Sequence, residues 1–201
     1  MAKTVDFFYG IGSRYSYLAA TRMDRLTADT GATVRWRPLW STLLMQRRGM
    51  DPFRGPPASG QYEAAYRTRD VSQWANYYGI PFRDPDWDAL NWERFALSAV
   101  AAEGLGAVGP YTLNLYDAVF GAGRPPLTDS DLADIAVKSG IDGGKLVAAI
   151  DTPATAQRHE QNIADAIAAG VFGVPSFVTD GQMFWGNDRL VLLQHHLGAK
   201  R

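Results

Sequence analysis

The chain's 201 residues carry 20 Lys and Arg against 21 Asp and Glu, with 46% hydrophobic residues and no cysteine. A net charge of −1 leaves no excess of positive charge to hold nucleic acid or an anionic membrane surface, and the apolar fraction is that of a packed globule. The lack of cysteine excludes a disulfide framework, a thiolate zinc site, a cysteine nucleophile and a redox dithiol. The opening stretch, MAKTVDFFYG, lacks the apolar run of a signal peptide. No stretch reaches the roughly 18 apolar residues of a membrane span, so a soluble cytoplasmic protein is expected.

Val5 to Tyr9 is a short aromatic and apolar run ending in Gly10-Ile11-Gly12, which reads as a buried strand and a loop. From Ser13 a helix is predicted, with Leu18, Ala19, Met23 and Leu26 on one face and Gly31 as its stop. Thr33 to Arg37 alternates as a strand and is ended by Pro38, completing a β-α-β unit of about minimum length for a parallel crossover. Residues 41–170 read as mostly helical. Trp92, Phe95, Ala96, Ala99 and Val100 form a helical stripe closing at Gly104. Thr128 to Asp131 fits a capping box, and Thr152-Pro153 opens a helix running to Gly170. Arg48 to Gly60 has no periodicity and is dominated by Gly, Pro and Arg, so a long loop is predicted. Phe177 to Thr179 and Gln182 to Phe184 flank Asp180-Gly181, a type I′ hairpin signal. A last helix is predicted with Asn187 as its cap, Leu190, Leu193 and Leu197 on its buried face, and Gly198 as its stop.

The order βαβ, helices, ββα is that of an α/β thioredoxin-like fold, with residues 1–40 and 171–201 as the thioredoxin-like domain and 41–170 as an inserted helical domain. Three segments carry a further likeness: Ser13-Arg14-Tyr15-Ser16-Tyr17-Leu18-Ala19, Gly173-Val174-Pro175-Ser176-Phe177, and Phe184-Trp185-Gly186-Asn187-Asp188-Arg189-Leu190. Together they resemble the 2-hydroxychromene-2-carboxylate isomerases and kappa-class glutathione transferases, in the DsbA-like branch of the thioredoxin superfamily. The resemblance implies glutathione as the cofactor, a small aromatic carboxylate as the substrate and a homodimer as the assembly.

The residues have their own reading beside it. Ser13 and Ser16 stand where redox relatives carry two cysteines, so electron transfer by that route is excluded. A serine before a helix is an ordinary N-cap; the resemblance makes Ser13 the donor that holds the glutathione thiolate. Pro175 suits a strand entry, while the resemblance implies a cis bond after Val174, whose backbone pairs with the cysteinyl part of glutathione. Asn187 and Asp188 fit a cap and a first-turn acid; the resemblance places both at the γ-glutamyl end. Arg14 replaces the family's proline and points either at a substrate carboxylate or into solvent. Tyr15, Trp40 and Asn91 join it as candidate substrate contacts, Asn91 reading also as a helix cap. Trp74, Trp87 and Tyr77 are further candidates for an aromatic pocket. The family's loop asparagine is missing from Phe53-Arg54-Gly55-Pro56-Pro57-Ala58. His159 reads as a packed or hydrogen-bonded histidine, no metal site is expected, and Gly10-Ile11-Gly12 lacks the third glycine of a dinucleotide fingerprint. The expected activity is isomerisation by reversible thiolate addition; the alternatives are a kappa-type transferase or peroxidase and a catalytically silent binding protein.

Overall fold

The computed structural model describes residues 3–49, 63–121, 123–126 and 128–198. Strand β1 (Thr4–Tyr9) is followed by helices α1 (Arg14–Ala20) and α2 (Met23–Thr30) and strand β2 (Thr33–Pro38). Helices α3 (Ser41–Arg47), α4 (Ala64–Tyr78), α5 (Trp92–Gly104), α6 (Val108–Phe120), α7 (Asp129–Lys138), α8 (Gly143–Ile150) and α9 (Pro153–Ala168) come next. The chain closes with β3 (Ser176–Thr179), β4 (Gln182–Trp185) and α10 (Leu190–His196). The sheet order is β2-β1-β3-β4, with β1 parallel to β2 and antiparallel to β3. This is a thioredoxin-like α/β fold.

Alternation along β1 divides the core between the two faces of the sheet. Val5, Phe7 and Tyr9 join the larger cluster with α1, α2, α5 and α6. Phe8 points the other way, into a smaller cluster with Leu39, Leu44 and Ile163. Phe7 lies opposite Phe177 in the β1–β3 register, their rings stacked 5.0 Å apart, while Trp36 meets Phe7 edge-on at 5.3 Å. Such cross-strand aromatic pairs tie the two ends of the sequence into one sheet.

The hairpin forms as expected, with positive φ at both Asp180 and Gly181. The capping box at Thr128 and Asp131, the proline at the start of α9 and the Asn91 cap on α5 are also present. The helix expected from Ser13 to Gly31 is instead two helices, broken at Thr21 and Arg22. The Thr21 hydroxyl donates to Leu18 O at 2.7 Å, and the Arg22 guanidinium stacks 4.8 Å over the Tyr78 ring. A hydroxyl bonded back into the preceding turn weakens and bends a helix at that point, and the break coincides with the Arg22–Tyr78 contact on the next residue. Asn187 does not cap the last helix. It starts a 3₁₀ turn (Asn187–Arg189) that leads into α10, and its buried amide reaches Tyr78 Oη at 3.5 Å. Residues 50–60 of the expected loop, and with them the Phe53–Ala58 stretch, lie outside the described residues.

Candidate functional site

The register brings three connections to one end of the sheet. Tyr9 pairs with Pro38, and Phe8 with Ser176, so the β1–α1 loop, the β2–α3 junction and the chain entering β3 emerge side by side. The β1–α1 loop is held from beneath. Buried Tyr116 on α6 donates to Gly10 O at 2.9 Å, and Ser13 N–H closes the turn onto Gly10 O at 3.0 Å. Burial holds the Tyr116 phenol protonated, well above its ordinary range, so it remains a donor.

Ser13 takes an extended backbone conformation, and its Oγ accepts from Ser16 N–H at 3.1 Å. It is therefore a true N-cap. An accepting hydroxyl still has its own proton to give, so the cap leaves Ser13 able to donate outward. Ser16 is fully buried beneath it, and its hydroxyl faces inward.

Across the strand end, the Val174–Pro175 peptide bond is cis. Ser176 Oγ donates to Gly173 O at 2.7 Å, and Gly186 N–H donates to Pro175 O at 2.9 Å. Among the described residues the Val174 backbone N–H and C=O find no partner. The Gly186 bond fastens the Asn187–Arg189 turn to this segment, and that turn packs against α1. Ser13, Val174, Pro175, Asn187 and Asp188 thus belong to three connected segments around the start of α1. Asp188 is exposed and faces Arg189 at 3.2 Å.

On the other side of the loop lies a cleft. An inner cavity of about 210 Å3 is walled by Gly10, Gly12, Trp40, Ser41, Trp87 and Trp92. An outer hollow of about 500 Å3 shares Trp40, Thr42 and Trp92 and reaches Asn91. The glycines of the loop have a packing reason: a Cβ on Gly12 would lie 3.2 Å from the Trp92 ring, and one on Gly10 3.1 Å from Ser41 Oγ. A side chain at either position would push Ser41 or Trp92 back by a few tenths of an ångström, so glycine suits the close approach of α3 and α5 to the loop.

The candidate substrate contacts divide. Trp40 and Asn91 line the cleft, although the Asn91 side chain also accepts from Arg94 N–H at 2.9 Å as the cap of α5. Arg14 is not solvated. Its Nε lies 2.6 Å from Asp84 Oδ1, an ion pair that falls short of hydrogen-bond alignment, and its guanidinium stacks 4.8 Å over the Trp87 ring. Tyr15 Oη donates to Asp70 at 2.7 Å; burial and that carboxylate hold its phenol protonated, above the ordinary value. Of the further aromatic candidates, Trp87 is in the wall. Trp74 and Tyr77 are not: they cluster with Tyr78 on α4, and Tyr77 is largely exposed. Ser41, Thr42 and Trp92 were not singled out by sequence as cleft residues. For Trp92 the helical stripe masked the role, because it starts a core helix while its indole turns to the loop. His159 is buried, as expected of a hydrogen-bonded histidine, and its Nε2 accepts from Trp40 N–H at 3.0 Å. Among the described residues no group of three or more His, Asp or Glu is placed to hold a metal ion, and no helix is long and apolar enough to cross a membrane.

A family model described as a DSBA-like thioredoxin domain matches residues 4–198. The 2-hydroxychromene-2-carboxylate isomerase of Sphingobium xenophagum is 28% identical over 212 residues, covering 98% of this chain and 99% of its own. Human glutathione S-transferase kappa 1 is 27% identical, covering 100% of this chain and 93% of its own. A solved structure of a 2-hydroxychromene-2-carboxylate isomerase superposes with a TM-score of 0.83 at 29% identity, covering 97% of this chain and 94% of that one.

Proposed function

The chain belongs to the DsbA-like thioredoxin-domain family, and we propose that it is a glutathione-dependent isomerase acting on 2-hydroxychromene-2-carboxylate or a similar small aromatic carboxylate. Likeness over nearly the whole chain to proteins named as such isomerases supports this reaction class. The observation that carries the reading is the convergence, at one sheet end, of a serine cap with a free hydroxyl proton, an unpaired backbone segment beside a cis-proline, and an aromatic cleft. The Val174 backbone, without a partner among the described residues, suits a peptide-like ligand added as a short strand, as glutathione would be.

Bound there, glutathione would supply a thiolate, a nucleophile suited to reversible addition to a conjugated double bond. The protein's part is to hold and to orient. Ser13 would donate a hydrogen bond from its hydroxyl to the sulfur; each unit by which this lowers the thiol pKa is about 1.4 kcal/mol in favour of the thiolate. Val174 and Pro175 hold the tripeptide, and Asn187 and Asp188 hold its far end, the Asp188 carboxylate answering the ammonium. Trp40 and Trp87 line the pocket for the aromatic ring, Asn91 sits at the rim, and Tyr15 and Arg14 flank the α1 end. The remaining N–H groups of the Arg14 guanidinium, partly balanced by Asp84, meet the substrate carboxylate. No redox change enters, in keeping with serine at positions 13 and 16. A homodimer in the cytoplasm is part of this reading.

Kappa-type glutathione transfer is the second reading, favoured by the full-length likeness to human glutathione S-transferase kappa 1. It shares the thiol site and differs in the electrophile. Calorimetric titration with reduced glutathione, with its S-methyl derivative as control, tests the common part. Binding is expected in the micromolar to low-millimolar range, weakened about twofold to fivefold by Asp188→Ala, in line with an exposed ion pair. No heat with either compound overturns the site; product analysis on a chromene carboxylate then separates isomerase from transferase.

A further inference from the structure

His159 lies on α9, outside the segments described as the site, yet it holds a wall of the cleft. Its side chain is 5% exposed, and its Nε2 accepts the backbone N–H of Trp40 at 3.0 Å. Trp40 is the residue from which α3 starts, and it caps that helix with no side-chain bond of its own. Trp40 and Thr42 line both the inner cavity and the outer hollow. The imidazole therefore does from the back what a cap usually does from the front: it fixes where α3 begins. An acceptor Nε2 requires the proton on Nδ1, so the bond exists only with neutral imidazole.

We propose that His159 is a positioning residue for the cleft, holding Trp40 in place while it is neutral and releasing it when it takes a second proton. Protonation turns Nε2 from acceptor to donor, and two donors then face each other in a buried setting. The pair must separate, and the start of α3 moves with it. The surrounding charges do not cancel this effect. Glu160, next in the chain, favours the protonated form but is held by Arg47 of α3 at 3.0 Å. On α5, Glu103 is bonded to Asn162 and paired with Arg158 at 3.8 Å. On β2, Arg37 is paired with Asp6 and with Asp165. Each of these groups has its own partner, and burial favours the neutral ring.

That the cleft receives substrate rests on the function proposed above; the coupling of His159 to Trp40 does not. The experiment is therefore done on the ligand-free full chain. Two-dimensional NMR follows the His159 ring carbons together with the backbone and indole N–H signals of Trp40, Thr42 and Trp92 from pH 8 to pH 5. The cleft signals are expected to move with the midpoint of the His159 ring, below that of a free histidine. In His159→Gln, whose amide oxygen still accepts from Trp40 and does not titrate, they are expected to stay at their pH 8 positions. In His159→Phe they are expected to be displaced at every pH. Cleft signals that stay flat through the His159 titration overturn the proposal, as does the same movement persisting in His159→Gln. Failure of glutathione to bind changes neither result.

Discussion

At the scale of single residues, the site is built from side chains that each serve the backbone before they serve a ligand. Ser13 is the clearest case, because its Oγ caps α1 through Ser16 N–H while its own proton remains free. The two roles separate by substitution. Ser13→Ala loses both and is expected to lower stability by about 1 kcal/mol in urea denaturation. Ser13→Asp keeps the cap, so its stability stays within about 0.5 kcal/mol of the parent. It has no hydroxyl proton to give and sets a negative charge beside the thiolate, so glutathione-dependent turnover is expected to fall by more than about tenfold in both variants. Unchanged turnover in Ser13→Ala would reduce Ser13 to a cap. Arg14 shows the opposite relation between sequence and role. Its place beside Ser13 is visible in the sequence, but its partners Asp84 and Trp87 come from a segment some 70 residues away, which no local pattern announces.

Between elements, the placement of the β1–α1 loop depends on α6. The Tyr116 hydroxyl is one of two donors to Gly10 O, and Tyr9 Oη shares a 2.6 Å hydrogen bond with Thr112 on the same helix. Tyr116→Phe keeps the packing and removes one of the two donors to Gly10 O, leaving the Ser13 N–H, which costs about 0.5–1.5 kcal/mol. Chemical denaturation is expected to show that loss, and glutathione affinity is expected to fall with it, because Ser13 directly follows Gly12 and its N–H is bonded to Gly10 O. An unchanged affinity would mean that the loop is held by its own turn. The break between α1 and α2 belongs to this scale too. Periodicity from Ser13 to Thr30 is continuous, yet the helix breaks where the Thr21 hydroxyl and the Arg22–Tyr78 contact lie. Patterning reports which residues share a face; it does not report where a side chain bends the axis.

For the molecule as a whole, pH is the variable through which the buried groups act together. Burial lowers the His159 pKa below the value of the unfolded chain. The unfolded state therefore binds the proton first as pH falls, so this contribution is full above about pH 6.5 and is lost as pH drops through the folded value. Glu103 works in the other sense: burial raises its pKa, and its charged form is the costly one, so lowering the pH relieves it. Urea denaturation at pH 7.5 and 5.5 is expected to show a loss of stability at the lower pH that is smaller in His159→Gln. An identical loss in that variant would assign it to other groups.

The sequence alone determined the broad order of strands and helices, the hairpin, the caps at Ser13, Asn91, Thr128 and Thr152, and the absence of cysteine chemistry, because these depend on composition or on residues within a few positions of one another. The three segments around Ser13, Pro175 and Asp188 were also legible, since their residue types recur together in a known family. What the tertiary structure decided was the company each residue keeps. Trp87 and Trp92 went to the cleft while Trp74 and Tyr77 went to a cluster on α4. Asn187 left the cap position for Tyr78, and His159 took hold of Trp40 across 119 positions. An aromatic ring or an amide has the same local signature wherever it ends up. Its partner is chosen by the packing of distant helices on the sheet, a nonlocal quantity that composition and periodicity do not contain.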